Sequence, residues 1–169
     1  MKPVFQIRDY EPGDAPSLAE NANNPNVAQF LREIFPSPYP VETAEWWVSE
    51  GWKGGKGFNQ AIVVDEQCIG GIGVSFFEAE QRYNAELGYW IGETYWGKGI
   101  VSEAINQFTQ DVFAHFDVRR LFSLVAPENI GSIKVLEKCG FVREGVLRQA
   151  MFLRGVFYDE IIYAKLRQE

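Results

Sequence analysis

Gly97 and Gly99 flank Lys98, and just behind them the chain becomes an amphipathic run from Ser102 to Phe116. Glycines at a turn remove side chains where several backbone N–H groups can converge on one ligand. A helix opening there adds unpaired first-turn donors and its positive dipole end. The chemistry this arrangement offers is a phosphate cradle built from Trp96, Gly97, Lys98, Gly99, Ile100 and Val101, with Lys98 as the local cation. Two further groups frame it. Glu86 lies on an apolar-alternating run just before the cradle, and Asn129 and Ser132 open a second helical segment after it.

The spacing Gly92-x-x-x-x-Gly97-Lys98 approaches a Walker A loop, but Gly99 stands where the magnesium-binding hydroxyl belongs. Ala61–Glu66 looks like a Walker B strand, yet it precedes the loop. Asp65-Glu66-Gln67 reads better as a hairpin turn between two apolar runs. Nucleotide hydrolysis is therefore the minor reading.

Ala126-Pro127-Glu128-Asn129-Ile130-Gly131-Ser132 leads into Ile133-Lys134-Val135-Leu136-Glu137-Lys138-Cys139-Gly140-Phe141. Together with the cradle, this resembles the GNAT superfamily of acetyl-CoA-dependent N-acetyltransferases. Gly97, Gly99, Asn129, Ser132, Glu137, Lys138, Gly140 and Phe141 carry the match. Glu86–Ile91, Tyr95–Gly99, Phe35–Pro40 and Tyr158–Glu160 look like its RimJ/RimL branch, which includes acetyltransferases of ribosomal-protein N-termini, polyamines and antibiotics. Thr94 replaces the usual Arg or Gln of the first motif, and Leu136 replaces a tyrosine that protonates the leaving thiolate in many members.

The resemblance implies acetyl transfer to a primary amine by direct attack in a ternary complex. Acetyl-CoA would be the cosubstrate, with no metal. Tyr89, Trp90, Ile91, Trp96 to Val101 and Asn129 would contact it. Glu86 would take the amine proton and face the acceptor. Ser132 would protonate the thiolate, and Asn129 would position a water or the pantetheine arm. Helix capping competes for Asn129 and Ser132 and is compatible with those roles. Tyr39, in the proline-set segment Phe35–Pro40, would line the acceptor pocket. Asp159 and Glu160 could attract a cation or simply be solvated. A non-catalytic acyl-CoA-binding module, favoured by Leu136, is the alternative.

The elements that must position these groups follow from periodicity. Strands are expected at Val4–Ile7, Ala61–Val64, Cys68–Phe77, Tyr83–Ile91, Arg120–Ala126, Val142–Phe152 and Val156–Leu166, the last two turning at Arg154-Gly155. Along Tyr83–Ile91, Glu86, Gly88 and Trp90 share one face, and Leu87, Tyr89 and Ile91 the other. Helices are expected from an Asp14 cap to Ala22, at Val27–Phe30, Thr43–Val48, Ser102–Phe116 and Ser132–Lys138, with Gly140 as the last one's stop. Val101, Ala104, Ile105, Phe108, Val112 and Phe116 form an apolar stripe. Trp46, Trp47 and Trp90 read as core, and Trp96 as a cradle residue. This is an α/β (α+β) fold, a mixed sheet with helices on both faces. The resemblance makes it the GNAT fold: a mostly antiparallel, twisted and splayed sheet of about six to seven strands.

With 46% hydrophobic and 15% aromatic residues the chain is a folded globule, and its 169 residues suit one domain, 1–169. No apolar run nears the ~20 residues that span a bilayer, and Met1–Phe5 lacks a signal-peptide core. A cytoplasmic protein without a membrane partner is expected. A net charge of −7 argues against nucleic acid and is weakly compatible with a cationic acceptor, a small molecule or peptide. The resemblance also allows a homodimer. Cys68 and Cys139 have no metal spacing and read as buried hydrophobes. His115 reads as a partner of its own helix end rather than a catalytic base.

Overall fold

The computed structural model describes residues 3–168. The strands are β1 (Gln6–Arg8), β2 (Gly57–Val64), β3 (Gln67–Phe76), β4 (Asn84–Ile91), β5 (Arg120–Val125), β6 (Val142–Leu153) and β7 (Val156–Leu166). The helices are α1 (Ala15–Ala22), α2 (Pro25–Ala28), α3 (Val41–Ser49), α4 (Ile100–His115) and α5 (Ile130–Lys138). The strands form one sheet in the order β1-β2-β3-β4-β5-β7-β6. Only β4 and β5 run parallel; the other neighbours are antiparallel. The expected hairpins turn where anticipated. Asp65 and Glu66 have φ of 48° and 64°, and Arg154 and Gly155 have 49° and 83°, the left-handed pairs that match strand twist in tight hairpins.

The parallel junction decides the architecture. A parallel pair needs a crossover, and α4 supplies it between β4 and β5. The β4–β5 ladder holds only Asn84–Arg120, Ala85–Leu121 and Glu86–Phe122. Beyond Glu86, β4 stays paired with β3 while β5 stays paired with β7, so the sheet opens into a splay. The Ser123 hydroxyl donates to the Leu87 carbonyl at 3.0 Å at the point where the opening begins.

Each face of the sheet has its own core. On one, α4 and α5 bury Ile100, Ile105, Phe108, Val112 and Leu136 against Leu87, Ile91, Leu121 and Tyr163. On the other, α1 and α3 bury Leu18, Ala44 and Val48 with Tyr10, Tyr39 and Cys68, and Phe35, Trp47 and Trp90 pack against them. The alternation expected along β4 holds: Leu87, Tyr89 and Ile91 join the first core, and Trp90 the second.

Several local expectations change: β2 starts at Gly57 rather than Ala61, α2 spans Pro25–Ala28 rather than Val27–Phe30, and α5 starts at Ile130 rather than Ser132. The helix expected from Ser102 begins at Ile100, so Ile100 is fully buried, while Val101 and Phe116 are half-buried. Trp46 is 57% exposed rather than core, because the inward positions of α3 go to Ala44 and Val48. Asp14 stands before α1 but caps nothing in it. Its carboxylate accepts both Arg8 guanidinium N–H groups at 2.7 and 2.8 Å and the Glu11 N–H at 2.8 Å. That pairing answers the cost of burying a carboxylate, and it ties β1 to the segment that enters α1.

Candidate active site at the splay

The cradle residues come together at the open end of β4. Gly97 and Gly99 take φ of 69° and 75°, and Gly99 is the left-handed residue from which α4 starts. The N–H groups of Gly97, Lys98, Gly99, Ile100 and Val101 have no acceptor among the described residues. The Trp96 N–H is the exception, since it donates to Glu93 at 3.0 Å. A Cβ at Gly97 would meet nothing within 4 Å, so the space in front of the loop is open. Lys98 Nζ lies 5.3 Å from the Tyr95 ring centroid, which holds its charge beside the loop. Trp96 is 44% exposed and donates its indole N–H to the Ile91 carbonyl at 2.9 Å. Converging unpaired donors at the start of a sixteen-residue helix suit an anionic phosphate group.

The α5 side contributes hydroxyls. The Asn129 side chain accepts the Ser132 N–H at 3.2 Å, so the capping reading of Asn129 holds. Ser132 Oγ lies 2.5 Å from the Tyr89 hydroxyl, a contact that bridges α5 and the free stretch of β4. Burial pushes the Tyr89 phenol well above its ordinary range, with its bond to Ser132 opposing, so it stays protonated. Leu136, one turn beyond Ser132, is fully buried and cannot reach solvent or substrate. The phenol absent from α5 is present instead on β4.

The α1–α3 side contributes carboxylates. Glu86 sits at the vertex of the splay, paired in register with Phe122, and accepts an ion pair from Arg32 in the loop after α2. A Cβ at Gly88, next along the same face of β4, would meet nothing within 4 Å, so the face beyond Glu86 is open. A cavity of about 350 Å³ adjoins it, lined by Arg32, Glu33, Met151, Leu153 and Glu160 among others. The β6–β7 turn closes one side, because the Arg154 N–H donates to Glu33 at 2.7 Å and its guanidinium to the Ala28 carbonyl at 3.0 Å. Tyr39 is elsewhere: it is 7% exposed, its ring packs at a tilt 4.9 Å from that of Phe35, and burial pushes its hydroxyl up to about 12. It does not line this cavity. His115 Nδ1 bonds the Asp111 carbonyl at 2.9 Å near the end of α4, as anticipated. Cys68 and Cys139 are buried and free.

These features have counterparts in known proteins. The profile of the acetyltransferase (GNAT) domain matches residues 5–142. The chain belongs to the GNAT acetyltransferase family. This GNAT chain is 28% identical over 166 residues to the uncharacterized N-acetyltransferase p20 of Bacillus licheniformis, covering 96% of the chain and 93% of p20. It is 31% identical over 105 residues to the ribosomal-protein-serine acetyltransferase of Escherichia coli, covering 62% and 58% of the two. Its fold matches that of Mycobacterium smegmatis RimJ, solved in complex with CoA-disulfide, with a TM-score of 0.84 over 98% and 83% of the chains at 20% identity. The likeness to the RimJ/RimL branch and the splayed, mostly antiparallel α/β sheet both stand.

Some groups around the GNAT splay escaped the sequence reading. Arg32 comes from a loop with no periodicity, and only the fold brings it to Glu86. Tyr89 was expected only as a contact to the cosubstrate; its bond to Ser132 needed the packing of α5 on β4. Glu160, which the sequence already offered with Asp159 as able to attract a cation, shares strand parity with Ile162 and Ala164 across from Leu124 and Phe122, on the face that carries Glu86.

Proposed function

We propose that this protein transfers the acetyl group of acetyl-CoA to a primary amine by direct attack, with the thioester entering the splay. What supports the reading most is the row of unpartnered N–H groups from Gly97 to Val101. It opens onto a parted sheet with hydroxyls on one face and carboxylates on the other. Those donors and Lys98 suit the pyrophosphate, and the Asn129–Ser132 end of α5 suits the acyl-bearing arm.

Amine acetylation asks the enzyme to align a neutral amine with an activated carbonyl, which can supply several kcal/mol of barrier reduction. The C–N bond forms as the C–S bond breaks. The thiolate that leaves needs a proton or a donor. Ser132 fills that role in this reading. With Tyr89, kept protonated by burial, as the donor in its contact with Ser132 Oγ, the serine hydrogen would be free to point into the splay. On the opposite face the Glu86 carboxylate meets the acceptor as an ammonium ion, exchanging Arg32 for the substrate's cation. The acceptor is a primary amine of a protein or peptide N-terminus, or of a small polycation. The ribosomal-protein relative favours the former.

The deciding experiment follows CoA release from acetyl-CoA with a thiol reagent. The amines are N-terminal serine and alanine peptides, spermidine, an aminoglycoside and free amino acids. Amine-dependent release is expected. Tight acetyl-CoA binding without release on any amine would favour the binding-module alternative, which the burial of Leu136 keeps physically reasonable.

A further inference from the structure

We propose that Glu160, not Glu86, removes the proton from the acceptor ammonium, and that Glu86 with Arg32 forms the anionic anchor that holds it. This rests on the acetyl-transfer reading above. Both carboxylates lie on the α1–α3 face, at different places on the splay. Glu86 is at its vertex on β4, and Glu160 is on β7, just beyond the last β5 pair, Val125–Ile161. An amine entering the cavity lined by Arg32, Met151, Leu153 and Glu160 meets Glu160 directly and Glu86 through its partner Arg32.

The two differ in what already binds them. The guanidinium of Arg32 donates to one oxygen of the Glu86 carboxylate, Oε1, so Glu86 already has a cation beside it that the acceptor ammonium would have to share or replace. Glu160 has no hydrogen bond or ion pair among the described residues, and the wall around it is supplied by Ala150, Met151, Phe152 and Leu153. The charged or titratable groups facing it are Arg32 and Glu33 from the loop after α2, Glu86 from β4, and Tyr158 two residues before it on the same face of β7. Glu33 is held by the Arg154 N–H. Burial raises the Glu160 pKa, and the Glu86 charge adds to this while Arg32 opposes it. A carboxylate moved toward neutrality is a better proton acceptor than one held as an ion pair.

The step balances without a co-reactant. R–NH₃⁺ gives one proton to the Glu160 carboxylate and becomes R–NH₂, whose lone pair forms the C–N bond to the thioester carbon. The C–S pair leaves with sulfur as the thiolate, which takes up a proton. The N–H proton lost on amide formation and the one held by Glu160 return to solvent and thiolate, for a net release of one H⁺.

The test compares E160Q and E86Q with the wild type. It uses the amine from the panel above that the wild type acetylates fastest, and it measures kcat/KM against pH together with acetyl-CoA affinity by calorimetry. E160Q should bind acetyl-CoA normally, which also reports its folding. At neutral pH it should lose about 100-fold in kcat, the low end for a general base. Its activity should climb with pH as free amine forms in solution. E86Q should raise the acceptor KM about tenfold and keep the wild-type acid limb. E160Q with wild-type turnover and an unchanged acid limb overturns the proton assignment alone. E86Q losing that limb while E160Q keeps it does the same. A wild type that binds acetyl-CoA but acetylates no amine overturns the acetyl-transfer reading, and this proposal with it.

Discussion

The two faces of the splay are built by different means. On the α4–α5 face the site is mostly backbone: N–H groups from Gly97 to Val101 set by two left-handed glycines, plus the Asn129 cap and the Tyr89–Ser132 contact. On the α1–α3 face the site is side chains from distant segments: Arg32 from a loop, Glu86 from β4 and Glu160 from β7. In the acetyl-transfer reading, the backbone face would recognise what every acyl-CoA shares and need few residue identities. The side-chain face would tell one acceptor from another. The first face should therefore respond to changes of conformation and the second to changes of charge.

The largest effect should come from the acyl-transfer hydroxyl. Ser132→Ala is expected to slow single-turnover acetyl transfer about 100-fold, the scale of lost acid–base assistance. Acetyl-CoA affinity should be little changed. A wild-type rate would remove Ser132 from the chemistry and leave it as part of the α5 entry alone. Next comes the backbone itself. Gly99→Val forces a β-branched residue to φ near 75°, costing about 1–2 kcal/mol, or the loop moves. Acetyl-CoA should bind about 5- to 30-fold more weakly by calorimetry, and acceptor KM should not follow. Unchanged affinity would refute the cradle and break the contrast between the faces. Tyr89→Phe is smaller: losing one hydrogen bond to Ser132 should cost about tenfold in kcat. Combined with Ser132→Ala, it should add nothing further. Additive losses would mean that Tyr89 acts apart from Ser132.

The same contrast explains what the sequence could disclose. The conformation of the Gly97–Gly99 loop and the helix behind it was legible because glycines and a helix start are contiguous, and their conformational needs are local. The strand parity of β4 and both hairpin turns were legible for the same reason. The acceptor face was not. Nothing local says that Arg32 reaches Glu86 across the fold, nor that Tyr39 sinks between Phe35 and its neighbours instead of lining the cavity. Asp14 had the residue type of a helix cap, but the guanidinium of Arg8 competed for it and won, since a charged bidentate partner outweighs a single capping bond. Trp46 fell outside for a similar reason: α3 is short, and its two inward positions were filled by Ala44 and Val48.

The smallest effect separates the two cores by their thiols. Cys68 lies in the α1–α3 core, where burial pushes its pKa up to about 12 from an ordinary 9.0, with the Asp14 charge adding and a backbone hydrogen bond at Gly70 and the Arg8 charge opposing. Cys139 lies in the other core, where burial also raises its pKa but Lys165 and Lys138 oppose. A folded-state pKa above the unfolded one means that stability is fully present below the unfolded value. It is then lost as pH rises toward the folded value, because the unfolded chain releases the proton first. Between pH 8 and pH 10 the melting temperature should therefore fall, with the buried tyrosines adding to the fall at the upper end in wild type and variants alike. Cys68→Ala should shrink that fall by about 2–4 °C, the shift expected from about 1 kcal/mol in a chain of this size. Cys139→Ala should shrink it less, because two lysines already favour its thiolate. The comparison is of slopes, so any fixed cost of either substitution cancels. Equal slopes in the two variants would mean that the cores hold their thiols alike, and that the difference between the faces lies in the site rather than in the packing beneath it.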